Sequence, residues 1–220
     1  MEKETVIRPS LLSADFLHLQ KDIEEMIACH ITHCHFDVMD GSFVENISFG
    51  KTIFDAVKPF QDQIIFDVHL MTLDPLRQVE NFASYGAKEI SFHFEVMTLG
   101  DIVKIKEFRD KYPEVKLGLA FSPETAVEEL YQILPLFDFV LVMSVVPGKG
   151  GQAFLEESKE KIEKLVAFRK EHRLSYQIGV DGGINEKTGP LCLSLGADYL
   201  VAGSYYFKSA DKKEALKKIH

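Results

Sequence analysis

Four short segments of this 220-residue chain end in side chains that can bind a metal or move a proton: His35-Phe36-Asp37, Asp67-Val68-His69, His93-Phe94-Glu95 and Val180-Asp181-Gly182-Gly183. Each closes an apolar, strand-like run. His35, Asp37, His69 and Asp181 together offer two imidazoles and two carboxylates, a donor set suited to one divalent ion, Zn2+, Fe2+, Mn2+ or Co2+. Residues two apart on a strand share a face, so His35 and Asp37 can point the same way while Phe36 packs on the other side. Asp37 and Asp181 are also the candidate acid–base pair. A metal that polarises a carbonyl acidifies the neighbouring carbon. One carboxylate can then take the proton and the other return one to the opposite face, inverting that carbon through an enediolate. His93 and Glu95 are read as partners that orient a ligand.

The four segments are spread over most of the chain, so the elements between them must gather strand ends in one place. Strand patterns run over Val6–Leu12, His33–Met39, Ile64–Leu70, Glu89–Phe94, Val115–Phe121, Phe137–Met143, Tyr176–Val180 and Tyr199–Ala202. Amphipathic stretches alternate with them. In Leu99–Tyr112 the residues Ile102, Ile105, Phe108 and Tyr112 fall on one helix face, and in Lys159–Arg169 so do Ile162, Leu165, Val166 and Phe168. Asp74-Pro75 and Ser122-Pro123-Glu124-Thr125 read as helix starts, with a capping residue before proline. Gly86-Ala87 and Gly196-Ala197 read as helix ends. Strand–helix alternation implies a parallel sheet. About eight units in this length fit a (β/α)8 TIM barrel, whose functional residues sit at the C-terminal ends of the strands. An open doubly wound sheet is disfavoured, because no GxGxxG follows the first strand. No linker or composition shift divides the chain, so residues 1–220 are expected to form one barrel domain.

Three glycine-bearing loops follow the last strands. They are Gly148-Lys149-Gly150-Gly151, Gly182-Gly183 and Gly203-Ser204. Glycine lets backbone N–H groups turn toward an anion, and barrels often hold phosphate after strands seven and eight. Met39, Met71 and Met143 stand at or just past three strand ends and could form an apolar cap over the reacting carbon. Ser10 could hydrogen-bond a substrate hydroxyl.

The net charge is −9, which argues against a nucleic-acid or anionic-membrane surface. Phosphate must therefore be held locally. No apolar run approaches a membrane span. Met1–Thr5 lacks the apolar stretch of a signal peptide. Cys29, Cys34 and Cys192, an odd number without a CxxC pair, fit reduced thiols in a cytoplasmic protein.

Taken in order, five stretches resemble the ribulose-phosphate 3-epimerase family. They are Arg8-Pro9-Ser10-Leu11-Leu12-Ser13-Ala14-Asp15-Phe16, His35-Phe36-Asp37-Val38-Met39-Asp40-Gly41-Ser42-Phe43-Val44, Asp67-Val68-His69-Leu70-Met71, Pro147-Gly148-Lys149-Gly150-Gly151-Gln152-Ala153-Phe154 and Val180-Asp181-Gly182-Gly183-Ile184. The resemblance implies one divalent metal, Zn2+ or Fe2+, held by His35, Asp37, His69 and Asp181. It implies Asp37 as proton acceptor and Asp181 as donor, with the roles exchanged in reverse. It assigns substrate contact to Ser10 and His69, and phosphate binding to Gly148 through Gly151, Gly182-Gly183 and Gly203-Ser204. The implied reaction interconverts D-ribulose 5-phosphate and D-xylulose 5-phosphate in the pentose phosphate pathway, and homo-oligomers are frequent in the family.

Four positions depart from the family's usual pattern: Glu45 stands for Pro, Val146 for Asn, Lys149 for Phe and Ser122 for Asn. They leave the metal and acid–base residues untouched and bear on the sugar. D-allulose 6-phosphate, one carbon longer, is the alternative substrate. A barrel that binds a sugar phosphate without catalysis is the remote one. Decarboxylase or aldolase chemistry, which in related barrels places a lysine in Asp-x-Lys-x-x-Asp, is not expected from His-Phe-Asp-Val-Met-Asp.

Overall fold

The strand patterns fold into one parallel sheet of β1 (Val6–Pro9), β2 (His33–Met39), β3 (Ile65–Met71), β4 (Glu89–His93), β5 (Lys116–Phe121), β6 (Phe139–Met143), β7 (Gln177–Asp181) and β8 (Tyr199–Ala202). The computed structural model describes residues 6–219; the reading of Met1–Thr5 as free of a leader falls outside them. The sheet order is β1-β8-β7-β6-β5-β4-β3-β2. An isolated parallel bridge between Ser10 and His35 joins its two ends. The expected (β/α)8 barrel is therefore the fold found, with its seam between β1 and β2. Among the described residues no helix is long and apolar enough to cross a membrane.

Helices α1 (Leu19–Ala28), α2 (Lys51–Val57), α3 (Pro75–Tyr85) and α4 (Asp101–Lys111) follow the first four strands. After β6, β7 and β8 come α5 (Ser158–Glu171), α6 (Thr188–Ser194), and the pair α7 (Ser204–Phe207) and α8 (Lys212–Ile219). Ile105 and Phe108 of α4 and Ile162 and Leu165 of α5 are buried, as their periodicity requires. The outer face of β2 turns Phe36 into an aromatic cluster, with ring centroids 5.4 Å from Phe54, which lies 5.4 Å from Phe82. Alternation along the strand leaves His35 and Asp37 facing inward.

The structure corrects one helix start and bears out the other, without its side-chain cap. No helix begins at Ser122-Pro123; β5 is followed by single 3-10 turns at Val127–Glu129 and Leu134–Leu136. The backbone groups that a helix would use are spent elsewhere. Glu95 Oε1 accepts from the Ser122 N–H at 2.7 Å and from the Thr125 hydroxyl, and Lys161 Nζ donates to the carbonyls of Ser122, Pro123 and Thr125. Asp74 does precede the first helical residue, Pro75, but its side chain makes no capping bond. It accepts from Arg77 Nε at 2.6 Å, a partner one helical turn away. Gly86 closes α3 at φ +103°, as expected of a helix-ending glycine.

The barrel interior holds both aromatic bulk and charge. Tyr199 and Phe139 project inward, and Gly179 and Gly118 make room for them. A Cβ on Gly179 would fall 2.1 Å from Tyr199 Cζ, and one on Gly118 the same distance from Phe139 Cε2. The Arg8 guanidinium lies 3.7 Å from the centroid of the Tyr199 ring, which fixes the ring in place. Gly179→Ala is accordingly expected to lower stability by about 1–3 kcal/mol or more through overpacking. Urea unfolding checks this, and an unchanged midpoint would show that the interior can relax.

Candidate active site

The C-terminal ends of β2, β3 and β7 place the metal-binding candidates. Cross-strand register sets Asp37 beside His69 and Met39 beside Met71, and it sets Met143 beside Asp181. One donor atom from each of His35, Asp37, His69 and Asp181 lies within 4.8 Å of all the others, so the four could hold a metal ion. His35 Nε2 is 3.3 Å from Asp37 Oδ1, 3.3 Å from His69 Nδ1 and 3.5 Å from Asp181 Oδ2. His69 Nδ1 is 3.4 Å from Asp37 Oδ1 and 3.8 Å from Asp181 Oδ2. Four N and O donors about 2.0–2.1 Å from one tetrahedral Zn2+ stand roughly 3.3–3.4 Å apart, so this donor set fits such an ion.

Each imidazole is held from behind. His35 Nδ1 bonds Asp67 Oδ1. With a metal bound, Nδ1 would keep its proton on Asp67 and the Nε2 lone pair would face the ion. His69 turns its Nδ1 inward and its Nε2 toward His93 Nε2 at 3.0 Å, while His93 Nδ1 meets Glu95 Oε2 at 3.0 Å. With a metal bound at His69 Nδ1, one proton assignment would satisfy the whole chain: Nδ1–H of His93 donates to Glu95, and Nε2–H of His69 donates to His93. His93 and Glu95, read from the sequence as partners that orient a ligand, thus stand in line behind His69. Asp67 carried no role in the sequence reading; its signal was available, since it lies two residues before His69 on the same inward face. Arg8, whose Nη1 bonds Asp67 Oδ2 at 2.5 Å, was missed too.

The electrostatics follow from burial and neighbours. Burial opposes ionisation of Asp37, but the His35 charge and hydrogen bonds from His35 and His69 outweigh it and hold the carboxyl well below the usual range. Burial likewise opposes ionisation of Asp67, which His35 and Arg8 keep low. For His35, burial works against the cation while Asp67 and Asp37 more than compensate and push its pKa up. His93 is different: burial dominates and lowers its pKa from 6.5 to about 4, with Glu95 only partly offsetting this. Glu95 is pulled down to about 2 by His93 and Thr125 against the cost of burial.

The His93 shift has a measurable sign. Between pH 6.5 and about 4 the unfolded chain takes up a proton that folded His93 refuses, so stability falls as pH falls through that window. The loss amounts to about 3 kcal/mol by pH 4. His93→Gln is expected to lack this component, so the two denaturation curves should converge on acidification. Parallel pH dependences would show that His93 titrates normally.

Above the metal-binding candidates lies a pocket with about 580 Å³ of space, part of it open to solvent. Ser10, Asp37, Asp181, Met39, Met71 and Met143 line it, as do Gly148, Lys149, Gly150, Gly151, Gly182, Gly183, Gly203 and Ser204. The buried His35 and His69 lie beneath this lining and are not part of it. Ser10 Oγ donates to Asp37 Oδ2 at 2.6 Å, which commits its proton to the carboxylate. Gly183 cannot take a side chain without moving the main chain: its φ is +64°, and a Cβ there would sit 2.5 Å from the Phe154 backbone nitrogen. The loop after β6 is braced by Asn46 Nδ2 on the Gly148 carbonyl at 2.7 Å and by Gln152 Nε2 on those of Val146 and Lys149 at 2.6 and 2.8 Å. Glu45, Ser122, Val146 and Lys149, the four departures from the family pattern, all line one groove on the other side of this loop.

A family described as "Ribulose-phosphate 3 epimerase family" matches residues 6–207. The chain is 39% identical over 207 residues to the ribulose-phosphate 3-epimerase of Treponema pallidum, covering 94% of this chain and 93% of that one. It is 38% identical over 216 residues to the protein of the same name from Bacillus subtilis, covering 97% of each. Among solved structures it resembles the 3-keto-L-gulonate-6-phosphate decarboxylase of Vibrio cholerae with a TM-score of 0.71 at 11% identity, covering 98% of this chain and 95% of that one. That likeness concerns the barrel alone. By the span of the match and the identity to these relatives, the chain belongs to the ribulose-phosphate 3-epimerase family.

Proposed function

We propose that this chain is a metal-dependent 3-epimerase that interconverts D-ribulose 5-phosphate and D-xylulose 5-phosphate by two-base proton transfer. The observation that carries the reading is the convergence of Asp37, Asp181, His35 and His69 on one point beneath a pocket walled by three glycine loops. The name shared by the relatives, ribulose-phosphate 3-epimerase, supports this choice of substrate.

His35, Asp37, His69 and Asp181 would hold the divalent ion, Zn2+ or Fe2+ first, with Mn2+ or Co2+ as alternatives. When bound, it would polarise the ketose carbonyl and so acidify C3. Everything else falls to the chain's own residues. Asp37 and Asp181 come from β2 and β7, which are not neighbours in the sheet, and so can reach a bound sugar from different sides. Asp37 takes the C3 proton of one epimer and Asp181 delivers a proton to the opposite face; the roles exchange in reverse. Ser10 holds the Asp37 carboxylate by its hydrogen bond and so fixes the direction from which that oxygen approaches. Met39, Met71 and Met143 cover the reacting carbon with polarisable, proton-free surface. Backbone N–H groups of Gly148–Gly151, Gly182-Gly183 and Gly203-Ser204 hold the phosphate against an overall charge of −9, and Lys149 adds a positive charge at the rim. The three free thiols, two of them buried, suit the reducing cytoplasm.

D-allulose 6-phosphate remains the second reading, because the four departures line a single groove against the phosphate loop. The two readings separate on kcat/KM for the two sugars with metal-loaded protein. The pentulose phosphate is expected to be preferred by about tenfold or more, the discrimination that an ill-fitting methylene-sized group gives. A reversed ratio would overturn the substrate assignment, and metal binding without turnover on either would revive a non-catalytic barrel. Removing metal with a chelator is expected to lower turnover by about 100-fold or more, since metal polarisation supplies several kcal/mol. One equivalent of Zn2+, Fe2+, Mn2+ or Co2+ should restore it. Full activity after verified removal would contradict metal dependence.

A further inference from the structure

We propose that Arg8 is a positioning residue for the reaction: acting through Asp67 from inside the barrel, it fixes His35 in the ring orientation and tautomer needed to bind metal. The proposal rests on the reading of His35 as a metal ligand. His35, Asp67 and Glu89 stand side by side at one register on β2, β3 and β4, one step below the level of Asp37 and His69. Arg8 reaches across the interior from β1 and meets two of them. Its Nη1 lies 2.5 Å from Asp67 Oδ2 and 2.7 Å from Glu89 Oε2. The Asp67 carboxylate is thereby divided, with Oδ2 on the guanidinium and Oδ1 on His35 Nδ1.

That division matters for direction. A carboxylate held by an imidazole alone can swing about its terminal torsion, which is broad, and the imidazole swings with it. With Oδ2 pinned, Oδ1 accepts from Nδ1 along one line. The Nε2 lone pair then points at the space shared with Asp37, His69 and Asp181. Arg8 is itself buried, 2% exposed, and stacked 3.7 Å from the Tyr199 ring centroid. Glu89 is held independently of His35 by Lys116 Nζ at 2.8 Å and faces His33 Nε2 at 3.6 Å.

A buried ion pair is weak evidence for a stabilising role, because apolar residues of similar volume often serve stability as well or better. Arg8 Nε even lacks a hydrogen-bond partner among the described residues. An orienting role explains why charge is placed here at all.

The test compares three full-length variants using Co2+ as the probe. Arg8→Lys keeps the charge but loses the planar fork. Glu89→Gln disturbs the same cluster without touching His35. Arg8→Met/Glu89→Gln removes the arginine together with one of the two carboxylate charges it balances, which lessens the cost to the fold. Co2+ affinity by chelator competition, the Co2+ d–d spectrum and the melting temperature are read for each. Arg8→Lys and the double variant are expected to bind Co2+ about 10–100-fold more weakly, with a shifted spectrum. Glu89→Gln should melt earlier yet keep affinity within about twofold. Affinity and spectrum unmoved in both arginine variants would overturn the proposal, and so would an equal loss in Glu89→Gln, which would mark the effect as general loosening. A wild-type chain without a Co2+ band would instead overturn the metal reading beneath it.

Discussion

Asp181→Asn is expected to lower epimerase turnover of the metal-loaded protein by about 10³-fold or more, with Asp37→Asn similarly impaired. Asparagine keeps the shape of aspartate and one oxygen that can face an ion, so the change removes a proton carrier and leaves the pocket its volume. The two variants should differ in a way that a simple loss of metal would not produce. With Asp181 gone, Asp37 can still exchange the C3 proton of the epimer whose hydrogen faces β2; with Asp37 gone, Asp181 can still serve the other epimer. Steady-state turnover, metal content and single-epimer exchange separate the two roles. Turnover within about tenfold of wild type in either variant would contradict a two-base mechanism, since a positioned base contributes at least ~10².

Arg8→Met is expected to destabilise the fold by about 3–5 kcal/mol, because it leaves the Asp67 and Glu89 charges inside the barrel with one partner fewer each. For a chain of this size that is a fall in melting temperature on the order of 10 °C. Adding Glu89→Gln removes one of those two charges and should recover part of the loss, but only part, because Asp67 stays charged and Glu89 had kept Lys116. Thermal melting of the single and double variants completes the cycle. A neutral single variant would show that water or local movement solvates the two carboxylates.

The element order was legible because strand alternation and helical period differ, and β2 and β8 were bounded as found. Errors arose where tertiary contacts compete with local rules. Ser122-Pro123 carries a helix-start signature, yet Glu95 and Lys161, both distant in sequence, take the backbone groups that a helix would need. Strand one stops at Pro9 although the apolar run continues to Leu12, because Leu11–Ser13 turns in a 3-10 helix under the barrel mouth. The donor set was legible for a geometric reason: a strand end at one face of a barrel is a place, so four strand-end side chains can be read as neighbours. The support behind it was less so. Period two put Asp67 on the inward face, but nothing local says that Arg8 crosses the interior to reach it, since that contact spans 59 residues. Gly118 and Gly179 were equally silent, because the aromatic rings they admit come from other strands.

The most direct test of the central claim is NMR of D-ribulose 5-phosphate incubated with the metal-loaded protein in heavy water. D-xylulose 5-phosphate is expected to appear with one deuterium at C3 and deuterium to build up at C3 of the returned ribulose 5-phosphate, while C1 keeps its protons. Product carrying the original C3 hydrogen, or deuterium entering at C1 with no epimer formed, would contradict proton transfer by Asp37 and Asp181 at C3.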